Sequence, residues 1–185
     1  MNGPDAKKRL IDGNALFRKS ADPALLARLN SKRQEPFVAI LSCSDSRVDP
    51  MRVFNLSTGD AFIVRVVGNS AADPFTIGSL EYAVEHLHVR MILVLGHTGC
   101  GAAQAMLDGK APEGLERVMR DMERARDKVP QEKSRDVDAI AEANVRLQLR
   151  IIEDNSLPIA GEVNKGTLQI AGAVYDLATG SVRFL

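Results

Sequence analysis

PFVAIL, Pro36 to Leu41, runs without a break into SCSDSR, Ser42 to Arg47. A continuous apolar run of this length reads as a strand buried on both faces. Strands of that kind belong to parallel sheets covered by helices, and open α/β sheets place their ligands outside the carboxyl ends of the strands. The polar residues begin at that end. Two further runs repeat the pattern. AFIVRVV, Ala61 to Val67, is interrupted only by Arg65 and closed by Gly68 and Asn69. MILVL, Met91 to Leu95, leads straight into GHTGCG, Gly96 to Gly101. Between them, Asp73 and Pro74 read as the N-cap and first residue of a helix. That helix reaches about His86, with Ile77, Leu80, Val84 and Leu87 on one face. Strand, helix, strand in this order is a right-handed parallel crossover.

Working outward, Asp5 to Ser20 reads as a helix with Leu10, Ile11, Leu16 and Phe17 at near-helical spacing. Pro23 to Leu29 adds a turn or two. These segments pack on their own domain or reach onto a second subunit. Asp49 and Pro50 begin a short helix through Phe54, and Thr58, Gly59 and Asp60 form a turn. Ala102 to Leu107 starts a helix directly behind Cys100, whose free N–H groups favour negative charge there. Lys110 to Asp154 is mostly helical and charged, divided by Pro112 and Pro130. Its last helix carries Val137, Ile140, Asn144, Leu147 and Ile151 as one stripe. Gly166 to Val174 and Val182 to Leu185 read as two strands joined by a turn at Ala178 to Ser181. The expected fold class is one α/β domain over residues 1–185. Its sheet has four parallel strands and an antiparallel C-terminal edge strand, flanked by helices, with residues 1–33 as an N-terminal helical arm packing on a partner subunit.

The chain has 185 residues, 45% of them apolar, enough for a sizeable core. Its 24 basic and 24 acidic residues cancel, which argues against nucleic acid or an anionic membrane as partner. No apolar stretch is long enough to span a bilayer, and MNGPDAKKRL lacks the apolar core of a signal peptide. A cytoplasmic location is the resulting expectation, and a reducing compartment disfavours a disulfide between the two cysteines.

Those cysteines, Cys43 and Cys100, stand in the two polar stretches, with His97 three residues before the second. Adjacent parallel strands would bring them together. Two thiolates and an imidazole make three zinc ligands and leave a fourth position open, as catalytic zinc requires. Each cysteine taken alone also reads as an ordinary buried thiol; their shared position at strand ends favours the metal. His86 and His88, near a helix end, read as surface or capping residues. Asp45 follows Cys43 by two residues and Arg47 follows Asp45 by two. The acid is suited to bind the metal or accept a proton from its water, and the arginine to hold it by a bidentate pair. A structural ion pair capping the loop is the competing reading. A redox protein with a Cys43–Cys100 disulfide is another, and it predicts no metal.

These residues resemble the β-class carbonic anhydrases, which carry Cys-x-Asp-x-Arg after the first strand and His-x-x-Cys after a later one. GNALF at Gly13–Phe17, TGD at Thr58–Asp60, SLEYAVEHL at Ser79–Leu87 and the C-terminal GTLQIAGAVYDLATGSVRFL extend the resemblance over nearly the whole chain. It implies reversible hydration of carbon dioxide to bicarbonate and a proton, by a zinc-bound hydroxide, with one zinc ion per subunit. Asp45 would accept a hydrogen bond from that hydroxide, with Asp45 also able to close the metal as a fourth ligand in an inactive state at low pH. Gln34, Phe62, Val67, Tyr82 and Gly101 match substrate-pocket positions. Gln34 and Phe62 would come from a neighbouring subunit, which implies a homodimer or homotetramer. RVVGN at Arg65–Asn69 replaces the common RNAGN. Ile40 stands where some members have a tryptophan of a non-catalytic bicarbonate pocket, so that form of inhibition is expected to be absent. Hydrolysis of carbonyl sulfide or carbon disulfide on the same fold is the alternative activity, and a non-catalytic scaffold is a further one.

Overall fold

The computed structural model describes residues 1–185. It divides into two compact units, Met1–Gln34 and Glu35–Leu185. The first holds helices α1 (Gly3–Ser20) and α2 (Pro23–Ser31), each with a proline near its start and an N-cap side chain, Asn2 and Asp22. Neither helix has a buried residue, and Leu10, Ile11, Leu16 and Phe17 are all exposed.

In the second unit the order is β1 (Val38–Cys43), α3 (Pro50–Val53), β2 (Ala61–Val66), α4 (Pro74–Glu85), β3 (Met91–His97), α5 (Gly101–Asp108), α6 (Glu116–Arg126), α7 (Val137–Asn155), α8 (Leu157–Asn164), β4 (Gln169–Tyr175) and β5 (Val182–Phe184). The strands form one sheet in the order β2-β1-β3-β4-β5, parallel except for β5. All six residues of β1 are buried, as its unbroken apolar run requires. One core cluster joins Ala39, Leu41, Ile92 and Val94 to α4, α5 and α7. The other face buries Val38, Ile40, Leu93 and Leu95 against Val48, Phe54 and Leu56.

Two glycines set how close α7 lies to the sheet. A Cβ on Gly96 would stand 2.5 Å from Val145 Cγ2, and one on Gly172 would stand 2.7 Å from Val145 Cγ1. The valine therefore rests on bare backbone of β3 and β4. The order of the strands also places the site. β1 continues to β2 on one side and lies beside β3 on the other. The carboxyl ends of β1 and β3 thus flank a topological switch point, where a crevice opens.

Several details differ from the sequence reading. β1 begins and ends two residues later than Pro36–Leu41, leaving Phe37 exposed, and β4 begins at Gln169 and not Gly166. β3 runs two residues further, through His97, because Gly96 and His97 pair with Val174 and Tyr175 of β4. Helix α8 was not expected; Ser156 caps it by accepting from Ile159 N–H. Asn144 lies in the buried stripe of α7 as a hydrogen-bonding residue, described below. No helix is long and apolar enough to cross a membrane.

Candidate metal centre

β1 ends in Cys43, β3 ends in His97, and Cys100 is the N-cap of α5. Because β1 and β3 are hydrogen-bonded neighbours, with Ser42 opposite Leu95, the three side chains meet at the carboxyl ends of these two strands. One ligand atom from each lies within 4.8 Å of the others, and all three residues are buried. Both cysteines are free thiols. Ligand atoms around a tetrahedral zinc at usual bond lengths stand about 3.8 Å apart, so the cluster is of the right size.

The imidazole decides what this cluster suits. His97 Nδ1 is 2.9 Å from the carbonyl oxygen of Thr98, which only accepts, so Nδ1 carries the proton. In the neutral imidazole Nε2 then presents its lone pair, and this atom is buried and has no hydrogen-bond partner. A buried acceptor without a donor is costly. A cation between Nε2 and the two sulfurs would satisfy it, and soft sulfur with imidazole is a donor set that suits zinc.

The thiols themselves are tuned. The Cys100 thiol beside it, with further help from His97 and the N–H groups of Asp45 and Gly68, brings Cys43 down to about 4 against the effect of burial. Hydrogen bonding to Cys43, together with burial, pushes Cys100 up. Burial lowers the His97 pKa, but the Cys43 sulfur, the Thr98 carbonyl and Asp45 outweigh it and the net shift is upward.

Asp45 stands next to this cluster, its Oδ2 3.9 Å from His97 Nε2. Arg47 grips it in three places. Arg47 Nε donates to Oδ1 (3.0 Å), Nη2 donates to Oδ2 (2.7 Å), and the Arg47 backbone N–H donates to Oδ1 (2.9 Å). The Arg47 guanidinium holds the carboxyl well below the usual carboxylate range. Arg47 Nη2 also donates to the carbonyl of Gly99 at 3.1 Å, tying the first polar stretch to the second.

Several residues that sequence reading did not single out hold this arrangement. Arg65 donates from Nε to the carbonyl of Cys43 (3.1 Å) and from Nη2 to that of Asp45 (2.6 Å). Its sequence signals are a charge inside an apolar run and its place at the head of RVVGN. The Thr98 N–H donates to Tyr175 and its hydroxyl accepts from the Leu177 N–H. Asp138, in the first turn of α7, accepts from the Gly99 N–H at 2.7 Å. Asn144 donates to the carbonyl of Gly68 (2.9 Å), and Gln148 accepts from the Ala71 N–H (2.8 Å) and donates to Asn144 (3.0 Å). Both amides are buried and satisfied.

Comparison with known proteins agrees with this geometry. A family model described as carbonic anhydrase matches residues 38–182. One of two tetrameric β-carbonic anhydrases of Sordaria macrospora superposes with a TM-score of 0.83 at 28% identity, over 98% of this chain and 97% of that one. The chain is an enzyme of the β-carbonic anhydrase family. A carbonic anhydrase 2 of Mycobacterium tuberculosis is 36% identical over 154 residues, 80% of this chain and 73% of the relative. A carbonic anhydrase of Mycolicibacterium smegmatis is 34% identical over 190 residues, 96% of this chain and 90% of the relative. Membership supports carbon dioxide hydration as the reaction class.

Of the pocket positions expected from the anhydrase resemblance, Phe62 and Tyr82 face each other, ring centroids 6.2 Å apart. Val67, 36% exposed, lines a cleft of about 710 Å³ with Val66, Ser70, Leu115 and Val118, which neither Phe62 nor Tyr82 lines. Gly101 is the exposed first residue of α5. Gln34 is exposed and ends the N-terminal unit. His86 and His88 are exposed, and the His86 ring lies 5.1 Å from that of Tyr82.

Proposed function

We propose that the chain interconverts carbon dioxide and bicarbonate with one zinc ion per subunit, held by Cys43, His97 and Cys100. The observation that supports this most is the buried, partnerless Nε2 of His97 facing two free thiols. Zinc there would supply Lewis acidity, lowering the pKa of a water in the remaining position toward neutrality. Two sulfur ligands temper that effect, so working pH is alkaline. Asp45 accepts a hydrogen bond from the attacking water and aims its lone pair at the substrate carbon. Arg47 keeps that carboxylate ionised and directed, and holds it away from the metal position. Asp45 is also the residue that would close the metal position as a fourth ligand in an inactive state at low pH. Val67 forms an apolar wall. Phe62 and Tyr82, being ring to ring, are contributed by the same subunit. With Gln34 they reach the substrate from a partner, in a homodimer or homotetramer on which the exposed stripe of α1 packs. Gln34 and the Gly101 N–H polarise a substrate oxygen. The released proton leaves to buffer in the cytoplasm.

Metal analysis with stopped-flow carbon dioxide hydration between pH 7 and 9 tests this. Turnover should rise with pH in protein holding about one zinc per chain, and Cys43→Ser should keep less than about a tenth of the metal. Full zinc in Cys43→Ser would sink the ligand assignment. A zinc-replete chain without hydration would move the substrate to carbonyl sulfide or carbon disulfide.

A further inference from the structure

We infer that Asp138 is a positioning residue of the reaction: it fixes the turn between His97 and Cys100 and, through that turn, the guanidinium of Arg47. The inference rests on the zinc-site reading above and extends it to a residue 39 positions away from the turn it holds.

The peptide groups of Gly99 are taken from both sides. Its N–H donates to Asp138 Oδ1 at 2.7 Å, a charge-assisted bond. Its carbonyl accepts from Arg47 Nη2 at 3.1 Å, the same nitrogen that donates to Asp45. Gly99 has φ +62°, and nothing lies within 4 Å of where a Cβ would be. Gly99 is thus glycine for conformation, not for space, and no neighbouring atom lies where a side chain there would pack. Hydrogen bonds must supply what packing does not. Asp138 is well suited to do so. Its own N–H is held by the N-cap Asp136, and it begins a helix of 19 residues whose buried side seats on β3 and β4. The chain of contacts runs from a rigid helix to the Gly99 peptide, then to Arg47, then to Asp45.

A residue that only capped the turn for stability would leave kinetics unchanged once the protein is folded and metal-loaded. Asp138 is exposed, so its replacement leaves the core intact. The expectation is that Asp138→Ala loses about tenfold in kcat at nearly unchanged KM, and releases zinc to a chelator about tenfold faster. Cobalt-substituted Asp138→Ala should show altered visible absorption bands. Asp138→Asn keeps an acceptor oxygen at the same place and should stay within about twofold of wild type in all three readouts. Unchanged kcat, metal release and cobalt spectrum in Asp138→Ala would overturn the inference. So would an Asn variant as impaired as the Ala variant, since the bond would then not be the cause. Absence of hydration by the wild type strikes the proposed reaction instead, and metal release and the cobalt spectrum still decide the role of Asp138.

Discussion

The loop after β1, Ser44 to Val48, and the turn after β3, Thr98 to Gly99, adjoin the same candidate metal cluster and are held by different means. The first is held by guanidinium groups. Arg47 closes on Asp45 within the loop, and Arg65 reaches over from the neighbouring strand to two of the carbonyls. The second is held by the Leu177 N–H, which donates to the Thr98 hydroxyl, by the Tyr175 carbonyl and by the Asp138 carboxylate, from residues as far as 79 positions along the chain. The first grip sits beside the cysteine–histidine cluster, and its charges also orient the Asp45 carboxylate. The second only fixes geometry. Arg47 is where they meet, through the Gly99 carbonyl.

The sharpest break in that comparison is Asp45→Asn. The amide cannot accept two guanidinium bonds as a carboxylate does, and kcat should fall about a hundredfold or more with zinc content unchanged. Metal loss in this variant, measured by metal analysis, would show that Asp45 serves the ligands and not the water. A smaller effect is expected from Arg65→Ala, which frees two carbonyls of the first loop. About a tenfold loss of kcat/KM should follow, with Arg65→Lys restoring only part because an ammonium lacks the planar fork. Full activity in the alanine variant would mean that Arg47 alone holds the loop.

The smallest effect concerns the platform of the second turn. Glu142, one turn along α7 from Asp138, is partly buried, which raises its pKa, but Arg183 and Arg146 outweigh this and hold it below the usual range. A carboxyl depressed in the folded state contributes stability that is present above its unfolded pKa of about 4.3 and lost as pH falls through the folded value. Arg183→Ala should therefore cost less than about 1 kcal/mol at neutral pH, because the pair is largely solvated. The gap between variant and wild type should close in acid, as followed by denaturant titration. A gap that widens in acid would show that Glu142 is not the partner.

What sequence could show follows the same division. Cys43, Asp45 and Arg47 are neighbours in the chain, and the spacing of His97 and Cys100 is local too, so both stretches are readable as motifs. The apolar runs announce β1 and β3 because burial on both faces leaves little polar sequence to confuse the period; β2 is only half-buried, with Arg65 exposed, and is legible from its β-branched apolar residues instead. Arg65 is visible as a charge within a strand and as the head of RVVGN, but its role is not, since its two partners lie at and just beyond the end of another strand. Asp138 reads as one more acid on a charged helix, and Asn144 as a member of an apolar stripe, until the backbone groups they serve are brought to them. Helix α8 went unread although Ser156 and Pro158 are a good start signal. Its eight residues bury only Ile159, and Leu157 is 89% exposed, so no apolar period shows.

Val145 places its two methyls over Gly96 and Gly172, on adjacent strands. One side chain thus works as a two-pronged key. α7 cannot slide along the strands without a methyl riding up onto a peptide, and cannot roll without lifting one prong. Gly96 is also the residue before His97. The helix that grips the turn and the strand that ends in the imidazole therefore share a common origin of coordinates, and a displacement of one is carried to the other. Spacing between acid, ligand and turn is then a property of the sheet itself, set by two side chains that are absent.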